Sequence, residues 1–569
     1  MRDPSPAPLR SLVEGIPLDR EPGLGALTMP GFLREVTGRY RGREALVLRA
    51  PHATVRWSYA DLWNEARAVA RALLACGVGK GSRVGILMTN RPEWISAFFG
   101  VGLAGGVAAA LSTFSTAAEL EYLLKTTEVS TLLFERSVAK KDFAAMLCEL
   151  DPAIRGSSRG RLRSVKLPFL RRLVVVDSDS DEEGVIEPWT DFLERGLTIP
   201  PEIEQAAAAS VRATDAAAIF FSSGTTSRPK GVLSAHQGIA IQCWRWPRIF
   251  ALKDDVRAWT ANGFMWSGNF ALTLGGTLAV GGSIVLQRMF DAVEALELMQ
   301  AERVSWPYAW PHQWAQLEAA PNWRSVDLGS LRYVDPSRPA ARHPTFRAPR
   351  WTDPFWSYGN TETFTICASF SADTPPEIAA GSHGEVMPGN TIKIVDPATG
   401  TVLPRGERGE IAVKGPTLML GYLGIPLRET LDREGFFHTG DQGYLDERGR
   451  LVFEGRLTEI IKTGGANVSP EEVDTALVEC PGVKFAKTIG VPHAMLGEMV
   501  VSCIVPHEGS GLDEERVRVY LKQRLASYKV PRRVLVLREE EMALTMSAKI
   551  RANALRELAA ERLSGAAAS

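Results

Sequence analysis

The chain has 569 residues but only six cysteines, and none of them form a CxxC pair, which excludes a disulfide-stapled scaffold and zinc knuckles and fits a reducing compartment. No sign of charge dominates: 65 Lys and Arg face 66 Asp and Glu, for a net charge of −1. Such a balance gives no field that would draw the whole protein onto nucleic acid or an anionic membrane. The opening stretch, MRDPSPAPLRSLVEGIPLDREPG, has no apolar core of the kind a signal peptide needs. Only one apolar run, Ile95 to Ser112, approaches membrane-spanning length, and it carries four glycines. Its pattern predicts a buried helix, a turn at Gly105-Gly106 and a short buried strand. The expectation is a cytoplasmic protein with no transmembrane segment and no nucleic-acid partner. No fixed-period repeat is present.

What the sequence does contain is ordinary globular material, 45% hydrophobic and 23% charged. Its length corresponds to roughly three to four domain-sized units. The first twenty-odd residues are proline-rich and read as an irregular arm. Strand-like and helix-like segments then alternate. Ser58 is placed to cap a helix running to Cys76, and Arg83–Met88 reads as a buried strand. Pro92–Leu103 reads as a helix, Val107–Leu111 as a strand, and Thr116 with Glu119 as a capping box. The apolar runs Val129–Phe134 and Leu173–Val176 extend the series. This alternation predicts a mainly parallel sheet with helices on its faces. The basic run Arg155–Lys166 and the acidic run Asp177–Glu183 read as solvated loops.

The most informative stretch begins at Ala217. An apolar strand, Ala218–Phe221, runs into Ser222-Ser223-Gly224-Thr225-Thr226-Ser227-Arg228-Pro229-Lys230-Gly231. A short strand, Val232-Leu233, follows, and Ser234 with Gln237 boxes the start of a helix. Free backbone N–H groups, several hydroxyls and a terminal ammonium make such a loop suited to wrapping phosphate. It is not a Walker A loop, because Lys230 lies between proline and glycine. The segment resembles the signature loop of the adenylate-forming superfamily, which comprises acyl-CoA synthetases, peptide-synthetase adenylation domains and firefly luciferase. Ser227 stands where relatives usually carry glycine.

Further motifs of that superfamily follow in order. Ser357-Tyr358-Gly359-Asn360-Thr361-Glu362-Thr363 resembles the YGxTE motif. The resemblance implies that Tyr358 lines the adenine, with Gly359 beside it, that Thr361 touches the α-phosphate, and that Glu362, with Thr225, holds Mg2+. Thr439-Gly440-Asp441 resembles the TGD motif, whose aspartate accepts the ribose hydroxyls. Gly455–Lys462 resembles the hinge motif, with Arg456 on ribose and phosphate and the pivot at Thr458. Thr545–Arg551 resembles the carboxy-terminal motif, with Lys549 as its catalytic lysine and Ala548 replacing the usual glycine. Lys230, Thr225, Glu362 and Lys549 are therefore the expected catalytic groups. Ser222, Ser223, Gly224, Thr226, Tyr358, Thr361, Asp441, Arg456 and Lys462 are the expected contacts to nucleotide or CoA.

The resemblance implies an α/β fold with a large N-terminal domain of parallel-sheet layers, a β-barrel-like subdomain and a small mobile α+β C-terminal domain. The expected boundaries are an arm over 1–25, the adenylate-forming domain over 26–455 and the mobile domain over 456–569. The implied activity is an ATP- and Mg2+-dependent acid–CoA ligase acting on a small-molecule carboxylic acid, with a homodimer as the oligomer to test. Ala261–Val280 stands where relatives build one wall of the acyl pocket. Phe264, Met265 and Trp266 occupy the place where amino-acid-activating relatives put an aspartate, so an α-amino acid is not expected. Phe264, Trp266, Phe270 and Trp310 are the candidate lining of a pocket for a fatty, branched, aromatic or polycyclic acid. Val334-Asp335-Pro336 replaces the usual Gly-Gly-Ala. His236 and His312 are taken as structural. Two fates of the adenylate compete with CoA transfer: β-lactone formation from a β-hydroxy acid, and transfer to a carrier-protein thiol. A nucleotide binder without turnover is the reading from another class.

Overall fold

The computed structural model describes residues 9–565 apart from 51–52, 161, 178–183, 223–228, 350, 355, 458, 460, 464–465, 494–495, 526–528 and 543–551. The chain divides into two compact units. The larger comprises 14–391 and 413–437, and the smaller comprises 1–13, 392–412 and 438–569.

The larger unit contains an eight-stranded sheet. Its order is Ile186–Pro188, Arg172–Val176, Thr131–Glu135, Arg83–Leu87, Val107–Ala110, Ala216–Ser222, Lys230–Ala235 and Gly421–Tyr422. The first six strands pair in parallel, and the last two pairings are antiparallel. Neighbouring residues on one strand feed different cores: Leu133 joins one apolar cluster and Leu132 the other, as a period of two requires. A second sheet runs Trp306–Pro307, Arg257–Thr260, Ser283–Leu286, Glu44–Ala50 and Ala53–Ser58. Ile86 and Phe220 of the first sheet share a cluster with Leu46 and Ile284 of the second, so both sheets contribute to one helix-filled core. This is the layered α/β architecture expected from the alternating pattern.

Several local expectations hold. Ser58 and Asp61 form a reciprocal capping box on helix Tyr59–Ala75, and Thr116 and Glu119 do the same on Ala117–Thr127. The long apolar run resolves into helix Pro92–Leu103, a turn with Gly105 at φ +80° and strand Val107–Ala110. Among the described residues no helix is long and apolar enough to cross a membrane. One expectation fails. Helix His236–Ile249 is capped by Ala235 without a side-chain bond, because Ser234 still belongs to strand Lys230–Ala235 and is buried there.

The smaller unit holds a five-stranded sheet, ordered Leu12–Glu14, Thr391–Val395, Gly409–Lys414, Phe437–Leu445 and Leu451–Arg456. A second sheet pairs Val483–His493 with Gly497–Pro506, and Arg533–Val536 lies parallel to the latter. Helices Pro470–Val478 and Glu514–Lys522 share one apolar cluster with this sheet, and helix Ala552–Gly565 shares another.

Candidate active site

Strands Ala216–Ser222 and Lys230–Ala235 form a hairpin in which Ser222 pairs directly with Lys230. The register sets Ser222 and Lys230 side by side at the two ends of the hydroxyl-rich segment. Ser223, Gly224, Thr225, Thr226, Ser227 and Arg228 lie outside the described residues. The Lys230 ammonium lies 4.9 Å from the centre of the Tyr422 ring, a cation–π distance. Tyr422 reaches that position because Gly421–Tyr422 pairs with Val232-Leu233 beside the hairpin.

The Tyr422 hydroxyl donates to Glu362 Oε1 at 2.6 Å. Glu362 is 9% exposed, and the Met419 N–H donates to its main-chain carbonyl. Its Oε2 accepts no hydrogen bond among the described residues, so a hard carboxylate oxygen remains available. That fits Mg2+, which needs one or two carboxylates and completes its shell with phosphate and water. Among the described residues no cluster of three metal-ligating side chains exists.

The segment carrying Glu362 is tightly shaped. Tyr358 pairs with Ala368, and a Cβ on Gly359 would lie 2.0 Å from the Thr365 carbonyl oxygen, so only glycine fits there. Asn360 and Thr363 exchange hydrogen bonds at 3.0 Å across the turn. Phe364 and Thr365 then sit at φ +44° and +89°, a strained pair two and three residues after the candidate metal ligand. Thr361 is half-buried on this turn.

In the smaller unit, strand pairing sets Asp441 opposite Arg456, and their side chains meet at 3.0 Å (Nε to Oδ1). Arg456 also donates to the Thr439 carbonyl, and Gly440 N–H donates to Glu410. Lys462 is exposed on strand Ile461–Thr463. Lys549, Ala548 and Thr458 lie outside the described residues.

Next to Tyr358 the larger unit encloses a cavity of about 280 Å3 with Ser357 on its lip. Its walls include Trp246, Phe250, Leu272, Trp306, Tyr308, Trp310, Trp314 and Trp351. Of the four residues expected from sequence, Trp310 lines it. Trp266 stands edge-on behind Trp310, ring centres 6.5 Å apart. Phe264 and Phe270 are absent from this wall; both are buried against Trp94, and Phe270 also meets Phe98. The Ala261–Val280 segment contributes Leu272 instead, from a π-helical turn over Phe270–Gly275. Among these aromatics stand Asp335, Arg338 and Asp353.

His236 is a structural group. Its Nδ1 accepts the Met29 N–H, and burial lowers its pKa to about 4. The side chain of His312 lies outside the described residues. Sequence reasoning missed Tyr422, Glu410 and Asp353. A lone tyrosine two strands from the signature loop carries no motif, and only the register brings it to Glu362.

The AMP-binding enzyme family model matches residues 33–423, and the model of its C-terminal domain matches 472–549. A feruloyl-CoA synthase of an Amycolatopsis species is 30% identical over 498 residues, covering 85% of this chain and 92% of that protein. The putative acyl-CoA synthetase YngI of Bacillus subtilis is 26% identical, covering 93% and 96%. The crystal structure of ATP-bound MatB from Rhodopseudomonas palustris superposes with a TM-score of 0.72 at 25% identity, covering 93% of this chain and 98% of that one. The chain belongs to the AMP-binding enzyme family, within the adenylate-forming superfamily whose motifs its sequence carries.

Proposed function

We propose that the protein is an acid–CoA ligase that first joins a hydrophobic carboxylic acid to AMP and then passes the acyl group to CoA. The observation that carries this reading is the adjacency of two environments within one unit. Glu362, which with Lys230 and Tyr422 forms a charged corner, lies on the segment that follows Ser357 from the lip of an aromatic cavity.

A carboxylate is a poor electrophile, since its leaving group would be oxide. In the first step a carboxylate oxygen attacks the α-phosphorus of ATP, the bond to the β-phosphate oxygen breaks, and pyrophosphate leaves. Two anions approach, so the protein must supply preorganised positive charge rather than a base. Lys230 offers an ammonium held by the Tyr422 ring, and the hairpin loop offers N–H and hydroxyl donors. Glu362, with Thr225, would hold Mg2+, which neutralises phosphate charge when bound. Lys549 is assigned to the transferring phosphoryl group.

In the second step the CoA thiolate attacks the acyl carbon and AMP leaves. Lys549 is then no longer required, and rotation of the segment after Thr458 would replace it with the Lys462 face, a hinge-type change. Asp441 and Arg456 are assigned to ribose and phosphate.

Purified protein, ATP, Mg2+ and a panel of acids test this reading. Pyrophosphate release that depends on the acid, together with AMP and acyl-CoA formed only when CoA is present, is expected. AMP release without CoA would replace the reading with lactone formation or another acceptor, and absence of pyrophosphate with every acid would reduce the protein to a binder.

A further inference from the structure

The cavity beside Tyr358 is not uniformly apolar. Two carboxylates and a guanidinium stand among its indole rings, and the two carboxylates differ in how they are engaged. Asp335 is occupied by its own loop: Oδ1 accepts from the Ser337 N–H at 2.9 Å and hydroxyl at 2.6 Å, and Oδ2 accepts from the Asp353 N–H at 3.0 Å. Asp353 is different. Its closest cationic partner, Arg338 Nη2, is 3.8 Å away, beyond hydrogen-bond reach, and among the described residues its carboxylate accepts no hydrogen bond. The Tyr308 hydroxyl, on the same cavity wall, also has no hydrogen-bond partner among the described residues.

Both groups carry the signature of burial without full compensation. Desolvation pushes the Asp353 carboxyl up to about 6, despite Arg338 pulling it down, and pushes the Tyr308 phenol up to about 12. Polar atoms that face a cavity without a protein partner are open to a ligand that supplies the missing bond. The aromatic walls fix the shape of what enters. A cavity of about 280 Å3 is at the small end for ligand pockets, which suits a compact ring system. Flat ring faces suit the surrounding indoles, and an acceptor-only carboxylate suits a donor.

We propose that the acid activated here is a compact ring acid bearing a hydrogen-bond donor, a hydroxyl or an amino group, which Asp353 receives with Tyr308 and Arg338 beside it. The proposal rests on the acid-ligase reading and narrows its substrate class. Asp335 serves as a positioning residue, holding the Asp353 main chain against the loop Val334–Arg338.

Matched ring acids test it: benzoate, cinnamate and 2-naphthoate, each with and without a ring hydroxyl or a ring amino group. Pyrophosphate release gives kcat/KM, and quenching of intrinsic tryptophan fluorescence without ATP gives binding. The wild-type protein is expected to favour donor-bearing acids by roughly 100-fold; Asp353 keeps a 22% exposed side chain, so discrimination should stay below that of a fully sealed polar site. Asp353→Ala should bring the ratio within about threefold, and a cooperative thermal melt shows that the variant folds. Asp353→Asn should keep part of both preferences, since an amide oxygen still accepts from a hydroxyl or from a neutral aryl amine. Tyr308→Phe should lower the ratio without abolishing it. An unchanged ratio in both Asp353 variants overturns the proposal, as does a wild-type preference for unsubstituted acids. Preferential binding of donor-bearing acids without pyrophosphate release from any acid would overturn the ligase reading and leave the cavity assignment standing.

Discussion

The corner around Glu362 and the cavity around Asp353 are joined by a few residues of chain, yet they are built in opposite ways. In the corner the groups constrain one another: one oxygen of Glu362 is held by Tyr422, whose ring in turn carries Lys230. In the cavity, shape comes from rings drawn from four separated stretches of chain, and the polar groups are left partly unengaged. The contrast matches the two tasks proposed for them. Phosphoryl transfer would need the same charges whatever acid is used, so its groups would gain from being preorganised. Acid recognition gains from groups whose bonding is completed only by the right ligand.

Substitutions should separate the two regions, the corner by affecting every acid equally and the cavity by re-ranking acids. The largest effect belongs to the transferring charge. Lys549→Ala should lower adenylate formation at least ~1000-fold, about 4 kcal/mol of transition-state stabilisation, for all acids alike. Thioester formation from supplied acyl-AMP should largely survive. Single-turnover assays of each half-reaction check this, and equal loss in both would end the assignment of two catalytic faces. Next is Glu362→Gln, expected to lower turnover at ordinary Mg2+ by roughly 100-fold and to displace the metal titration to higher concentration. An unchanged Mg2+ titration removes Glu362 from the metal site.

Two of the corner's three residues, Lys230 and Glu362, lie on motifs legible in the sequence, and the cavity was legible only in outline, for a physical reason. Hairpin Ser222–Lys230 and turn Tyr358–Glu362 are local structures, so their residues are neighbours in sequence and form short motifs. The alternating strands and helices were legible for the same reason. The cavity brings Trp246 to Trp306 and Asp353, and nothing in one stretch announces the others. Phe264 and Phe270 show the limit most clearly. Resemblance to relatives made their segment a pocket wall, but their rings equally suit the core, and both are packed against Trp94. Tyr422 was invisible because strand pairing, rather than sequence proximity, brings it to Glu362.

A smaller effect tests the cavity's incomplete engagement through stability. The folded-state pKa of Asp353, about 6, is raised above the ordinary 3.8, so the folded protein binds this proton more tightly than the unfolded chain. Its contribution is present below pH 4 and is lost as pH rises through 6. Asp353→Asn removes that dependence. Relative to wild type, the variant should gain on the order of 2 kcal/mol between pH 4 and pH 7, after allowance for solvent screening and for Arg338 losing its neighbour. Thermal melts at both pH values check it. His236, lowered to about 4, gives the opposite slope, with stability lost as pH falls from 6.5, but it is common to both proteins and cancels in the difference. A difference that does not vary with pH would mean that Asp353 is as well compensated as the corner.

The smallest expected effect comes from removing one atom of the corner. Tyr422→Phe keeps the ring that faces Lys230 and deletes only the hydroxyl that holds Glu362 Oε1. A hydrogen bond to a charged group contributes about 1.5–3 kcal/mol, but here water or Mg2+ can partly replace the lost donor. The carboxylate would then turn more freely, and its free oxygen would spend less time aimed at the metal. Half-saturation by Mg2+ should therefore rise about tenfold, with turnover at saturating Mg2+ within about threefold of wild type and no change in the ranking of acids. Titrating Mg2+ into the protein with a non-hydrolysable ATP analogue reads the same shift without turnover. Tyr422→Leu should add a loss of nucleotide affinity, because Lys230 then loses the ring as well. A tighter Mg2+ titration in Tyr422→Phe would show instead that the hydroxyl competes with the metal for Glu362, and the corner would then resemble the cavity, a site completed only by its ligand.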